Sequence, residues 1–162
     1  WETSQVFDSD WDGDWKRSKI LVWDKGEEKM IFNLKLYLVM LAAFFLVDMV
    51  WLGLVARKFY RKQIGFLMSA KPGWAAAIIF YLLFILGAVV FVVLPGLNDG
   101  SLKLTVLRAV LYGLVTYATY DLTNLATVKD WPVLVTVVDL LWGVGVSVIV
   151  SLVGFWAGGW LG

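Results

Sequence analysis

The 162 residues include no cysteine and no histidine. Their absence excludes disulfides, thiolate metal sites and iron–sulfur clusters, and it leaves no histidine to serve as a general base or haem ligand. It says nothing about redox compartment, because no thiol is present to oxidise. Charge is also scarce. Charged residues make up 17% of the chain, against roughly 25% in an average soluble protein. The net charge is +1, so no global field points to a nucleic-acid partner. Apolar residues are abundant, at 60%, with a mean hydropathy of +0.78. One domain of this length could not hide so much apolar surface, so a lipid bilayer is the expected solvent. The chain begins at Trp1 rather than methionine, as expected of a processed or truncated product.

Proline is rare too, and its three occurrences punctuate the chain. Four long apolar runs span about residues 36–56, 74–94, 104–126 and 133–153. Each is near the roughly 20 residues a helix needs to cross about 30 Å of hydrocarbon. Strands do not reach that length, so the runs are predicted as helices. Lys71-Pro72-Gly73 precedes the second run, Pro95-Gly96-Leu97-Asn98-Asp99-Gly100 ends it, and Pro132 opens the fourth. The expected fold is all-α: a four-helix transmembrane bundle over residues 34–162, with residues 1–33 as a short extramembrane head.

Basic residues in the loops orient the bundle. The first loop carries Arg57, Lys58, Arg61, Lys62 and Lys71 without an acid, whereas the second holds only Asp99 and Lys103 and the third only Lys129 and Asp130. The positive-inside rule places the first loop inside and both termini outside, in a bacterial inner membrane or an organelle membrane. Trp74 and Trp131 then mark the inner interface, and Trp156 and Trp160 the outer one. The first loop interleaves its charges with Phe59, Tyr60, Ile64, Phe66 and Leu67, so it is expected to lie on the membrane surface as a short helix. Arg57, Lys58, Arg61 and Lys62 there face anionic lipid head groups, at about 1 kcal/mol per base. Topology and anchoring account for the charges as well as a specific head-group site does.

The head is acidic and aromatic. Residues 1–30 hold eight of the thirteen acids, and Trp1, Trp11, Trp15 and Trp23 lie among them. Asp8, Asp10, Asp12 and Gly13 match the opening of a calcium loop. The match then fails, because Lys19 occupies the position of the bidentate acid and Lys16 and Arg17 follow. Disordered tails are poor in aromatics, so the tryptophans point instead to packing on the membrane surface or on a membrane-protein partner.

Asp48, Asp121 and Asp139 each lie within a span. An aspartate at a helix centre costs about 2.5–3.5 kcal/mol to insert, and such residues normally face the bundle interior and mark a functional site. At 1.5 Å per residue their depths from the inner end are about 13, 9 and 12 Å. Three helices therefore bring a carboxyl group to nearly one level, where no lysine or arginine lies. Tyr117 and Asn124 share the face of Asp121, Trp51 follows Asp48 by three residues, and Trp142 follows Asp139 by three. All four can donate to carboxylates. Val47-Asp48-x-x-Trp51 and Val138-Asp139-x-x-Trp142 match each other, too briefly to establish a repeat. Gly143, Ser147, Ser151 and Gly154 suit close helix packing. The second span, whose one polar side chain is Tyr81, is expected to be the most lipid-exposed.

Residues 34–162 resemble an uncharacterised family of small four-span bacterial membrane proteins, a domain of unknown function. The resemblance rests on Leu36-Tyr37-Leu38, Asp48-Met49-Val50-Trp51-Leu52-Gly53, Phe59-Tyr60-Arg61-Lys62-Gln63, Tyr117 to Thr127 and Thr136 to Gly143. It implies a four-helix membrane protein and no established activity. The head departs from the bacterial pattern, as in an organelle protein built into a larger complex.

Two classes of function follow. In one, Asp48, Asp121 and Asp139, with Trp51, Tyr117, Asn124 and Trp142, bind or move a small cation, a proton or a polar ligand; all-oxygen ligands suit only calcium or magnesium among metals. In the other, protonated aspartates merely fix helix packing, and the chain is a non-catalytic accessory subunit docked through its head. A proton-coupled step in transport or catalysis at the same acids stays open, and the sequence names no catalytic residue and no cofactor.

Overall fold

The computed structural model describes residues 11–69, 71 and 73–162, with residues 11–25 described by their backbone alone. Residues Lys35–Gly162 form one compact unit, and the chain up to Leu34 forms another. Among the described residues every regular element is helical: α1 (Trp11–Trp51), α2 (Arg57–Ile64), α3 (Trp74–Ala88), α4 (Leu94–Asn98), α5 (Leu102–Thr127) and α6 (Val133–Leu161). Two π-helical segments, Leu52–Ala56 and Val89–Val93, join α1 to α2 and α3 to α4. Among the described residues, four continuous helical stretches are long and apolar enough to cross a membrane: Gly26–Ile64, Trp74–Asn98, Leu102–Thr127 and Val133–Leu161. The all-α four-helix expectation holds.

Two boundaries differ from expectation. No break separates the first span from the basic segment, because Ala56 and Arg57 both keep right-handed helical backbone and the helix runs on to Ile64. Charge at Arg57 and Lys58 therefore changes the surroundings of the helix without ending it. Pro95 likewise does not end the second span. A proline inside an α-helix leaves a carbonyl without its donor. Here the wider π turn precedes it, Leu94 N–H donates to Val89 O five residues back, and the helix continues to Asn98. It stops at Gly100, whose φ of +59° suits a residue without Cβ. Ser101 then caps α5, accepting from Leu104 N–H at 3.3 Å.

The core is built from positions spaced by four or eight residues, which lie on one helix face. In α1 these are Leu36, Met40, Phe44 and Asp48; in α5, Thr105, Ala109, Gly113 and Asp121; in α6, Val135, Asp139, Gly143, Ser147 and Ser151. The seam between α5 and α6 is the most extensive helix pairing. A Cβ on Gly113 would lie 2.3 Å from Gly143 O, and one on Gly143 would lie 2.3 Å from the Tyr117 ring. The expected small-residue packing of α6 is thus present, with Gly154 against Met40 and Val93.

The second span is not the least buried. A third of its apolar window, 33%, is covered, against 17% in the first and third spans and 39% in the fourth. Phe84, Ile85, Ala88, Val89, Val92 and Val93 fill the core. Hydropathy could not reveal this, because lipid and protein interior are equally apolar environments.

Candidate functional site

Each intramembrane aspartate ends or interrupts one of those buried ridges. Asp48, Asp121 and Asp139 are 6%, 0% and 8% exposed. Their surroundings are phenolic rather than basic. Tyr81 Oη on α3 donates to Asp48 Oδ2 at 2.7 Å. Tyr60 Oη on α2 donates to Asp139 Oδ1. Among the described residues no lysine or arginine pairs with any of the three. The one ion pair there, Arg108 with Asp99 at 2.7 Å, lies about 20 Å from Asp121 along α5.

Asp121 and Asp139 face one another, with their carboxyl groups within hydrogen-bonding reach. Neither oxygen of Asp121 meets a hydroxyl, amide or amine donor. Ionised carboxylates only accept, so a bond between two of them requires a proton on one. A single shared proton satisfies this arrangement. So does a cation placed between the two groups. Left bare, two buried like charges would repel with nothing to offset their desolvation.

Tyr117 lies on α5 one turn before Asp121. Its side chain packs closely against Gly143, and its ring meets Phe84 edge-on at 6.2 Å. All three aspartates and Tyr81 are near enough to act on its hydroxyl electrostatically. Two of the three carboxyl groups therefore lie within hydrogen-bonding reach of each other, and the third is bonded to Tyr81. Among the described residues, no group of three or more acidic side chains is disposed to hold a metal ion.

The tryptophans do not act as donors to the acids. Trp51 and Trp142 instead stack face to face, with centroids 4.4 Å apart and planes 9° from parallel. The matched Asp-x-x-Trp segments of the first and fourth spans thus meet through their indoles. Trp51 also lies beside the Tyr60 hydroxyl. The Asn124 Nδ2 is buried without an acceptor, so Asn124 shares the face of Asp121 but makes no bond to it.

Sequence reasoning missed the two donors that matter here. Tyr60 reads as part of a surface loop, and its bond to Asp139 follows from the uninterrupted helix through Ile64. Tyr81 carried a usable signal: a lone phenol in an apolar span needs a partner for its hydroxyl. The basic side chains Arg57, Lys58, Arg61 and Lys62 are exposed on the same short helix as Tyr60. Of the calcium-loop candidates, Asp8 and Asp10 lie outside the described residues, and Asp12 falls in the first turn of α1.

Hydroxyl groups divide the two packed helices. Thr116, Thr119, Thr123 and Thr127 on α5 each donate to the carbonyl four residues back, at 2.5–2.8 Å. Ser147 and Ser151 on α6 are buried without partners. Beside Tyr117, between α3 and α5, an apolar groove of about 570 Å³ is lined by Phe80, Thr116, Tyr117, Thr119 and Tyr120.

Residues 33–156 match the model of the family DUF2177, described as predicted membrane protein, and the chain belongs to that family. The match contains all three aspartates, Tyr60, Tyr81 and Tyr117. No curated protein and no solved structure matches the chain.

Proposed function

We propose that this DUF2177 membrane protein binds and releases a proton within the bilayer, at the carboxyl pair Asp121–Asp139. The observation that carries the reading is Asp121. It is fully buried, both its oxygens lack a donor, and its one near polar partner is another acid. A proton shared between the two groups matches the pair where no base is available. Tyr60 orients Asp139 from the basic end of the bundle, and Tyr81 holds Asp48 at the same level. All three acids act on the Tyr117 hydroxyl, so a change of charge on the pair is felt there.

The positive-inside rule supports a topology with the basic Arg57–Ile64 segment inside and both termini outside. In that orientation Arg57, Lys58, Arg61 and Lys62 meet anionic head groups, and Tyr60 stands between that leaflet and Asp139. Protons then reach the pair from the inner side.

Infrared spectroscopy of the protein in lipid nanodiscs tests the reading. A protonated-carboxyl band should be present at neutral pH and should fall as pH rises. It should lose its main component in Asp121→Asn. A spectrum without such a band, or one unchanged by Asp121→Asn, would exclude the proton site.

A further inference from the structure

We infer that the basic face of α2 docks on the head groups of anionic phospholipids, and that this docking holds Tyr60 on Asp139. The regulation of Asp139 rests on the proton site proposed above. The helix has two faces. Arg57, Lys58, Arg61 and Lys62 recur at four-residue steps on one of them, and all four are exposed. Phe59, Tyr60, Gln63 and Ile64 form the other and are half-buried. Little else fixes α2. None of its residues is fully buried. Its chief packing partner is the π-helical segment Leu52–Ala56 from which it grows, and a Cβ on Gly53 there would meet open space. Among the described residues, the bond from Tyr60 to Asp139 is the one hydrogen bond made by an α2 side chain. One phenol thus ties the helix to α6, and whatever positions the opposite face positions that phenol.

Charge and shape choose a lipid as the occupant. Between Asp48 and Asp99 the sequence contains no acid, and none of the four bases joins an ion pair among the described residues. The face therefore calls for anions from outside the chain, and each base near an anionic leaflet is worth about fivefold in affinity. Phe66, Leu67 and Met68 follow α2 closely and are exposed. A soluble anion leaves those apolar side chains in water, whereas the edge of a bilayer takes both them and the bases. The continuous helix from Gly26 to Ile64 carries α2 straight on from a span, so the bases stand where head groups begin. Docked there, the basic face cannot turn toward the bundle, and the Tyr60 face cannot turn away from it. In a neutral leaflet the helix keeps only its single phenol bond. Lipid charge thereby sets how firmly Asp139 is held, and with it the proton shared with Asp121; no covalent bond changes.

The test uses the full chain in nanodiscs of phosphatidylcholine, alone or mixed with phosphatidylglycerol. Hydrogen exchange reads α2. The ring C–O stretch of isotope-labelled tyrosine, isolated by subtracting the spectrum of Tyr60→Phe, reads the bond to Asp139. Phosphatidylglycerol should slow exchange over Arg57–Ile64 about tenfold or more and shift the Tyr60 stretch, with exchange in α5 unchanged. The variant with Arg57→Gln, Lys58→Gln, Arg61→Gln and Lys62→Gln together should lose both responses, and added salt should erase them in the wild type. Tyr60→Phe should weaken the exchange response about fivefold, because coupling between two sites is reciprocal. Glycerol phosphate in solution, which brings the head-group charge without a bilayer, should give neither response. Full responses in the four-base variant or in high salt would overturn the lipid surface. So would equal responses to glycerol phosphate or to polyglutamate, which would assign the face to a free anion or to an acidic protein. A Tyr60 stretch unmoved by phosphatidylglycerol would overturn the hold on Asp139. If the protonated-carboxyl infrared band is present at that point, the proton site stands and the regulation alone falls. A lipid-dependent Tyr60 stretch without that band would refute the proton site instead.

Discussion

Aspartate is used in opposite ways at the two ends of this bundle. At the Gly100 end, Asp99 pairs with Arg108 at 2.7 Å, and both side chains stay more than a third exposed. At the other level, Asp48, Asp121 and Asp139 are buried, with phenols and each other for company. The first arrangement is a surface ion pair of the kind worth about 0–1 kcal/mol. The second gives up the cheap solution, a neighbouring base, although α5 carries one base two turns in from its start. Structure alone does not require three acids there: apolar side chains of similar size would pack with less desolvation cost. The exposed pair holds a loop to a helix, whereas the three buried acids are matched by phenols and by each other.

That comparison can be broken most severely at the seam that brings α5 and α6 together. Gly113→Val places a side chain 2.3 Å from Gly143 O, so it should separate Asp121 from Asp139. We expect a loss of about 3 kcal/mol or more, the upper range for overpacking, seen as a large fall in thermal midpoint in detergent. Gly53→Val meets open space and should stay within about 0.5 kcal/mol. Equal effects of the two would show that the seam is not packed as described.

A double-mutant cycle sharpens the contrast next. Asp121→Asn and Asp139→Asn should be coupled by about 0.5–3 kcal/mol, as expected of contacting groups. Asp99→Asn and Arg108→Gln should be coupled by at most about 1 kcal/mol, and that coupling should fade with added salt. Additive effects at the buried pair would place the two carboxyl groups apart.

Smaller effects belong to the phenols. Tyr81→Phe and Tyr60→Phe each remove one hydroxyl donor from a buried acid, and each should cost about 1–3 kcal/mol. Tyr37→Phe removes a bond to an exposed carbonyl, Leu82 O at 3.1 Å, and should cost about 1 kcal/mol or less. Asp99→Asn should also have a small effect, within the range of about 0–1 kcal/mol for a surface pair. A ranking by calorimetry that puts Asp99→Asn above Tyr81→Phe would reverse the comparison.

The sequence made the spans and the acidic level legible for physical reasons. Twenty apolar residues admit one structure in lipid, and the rise of a helix converts residue number into depth. Contacts across helices were less legible. Tyr81 stands alone among apolar residues, and nothing in the chain says that it points at Asp48. Tyr60 follows two basic residues, which read as a loop until the π segment Leu52–Ala56 carries the helix past them. Trp51 and Trp142 offered indole N–H groups to the acids, yet ring stacking won, because two flat faces at the same depth bury more surface together than apart. Pro95 read as a terminus, and the π turn before it shows how a helix absorbs a missing donor.

The most direct measurement counts protons at the pair. A difference titration in nanodiscs compares the wild type with Asp121→Asn, Asp139→Asn and the double variant over the range where the infrared band falls. If one proton is shared, each single variant should lose the same proton, and the double variant should lose no more. Single losses that add up in the double variant would show two independent acids and contradict the account.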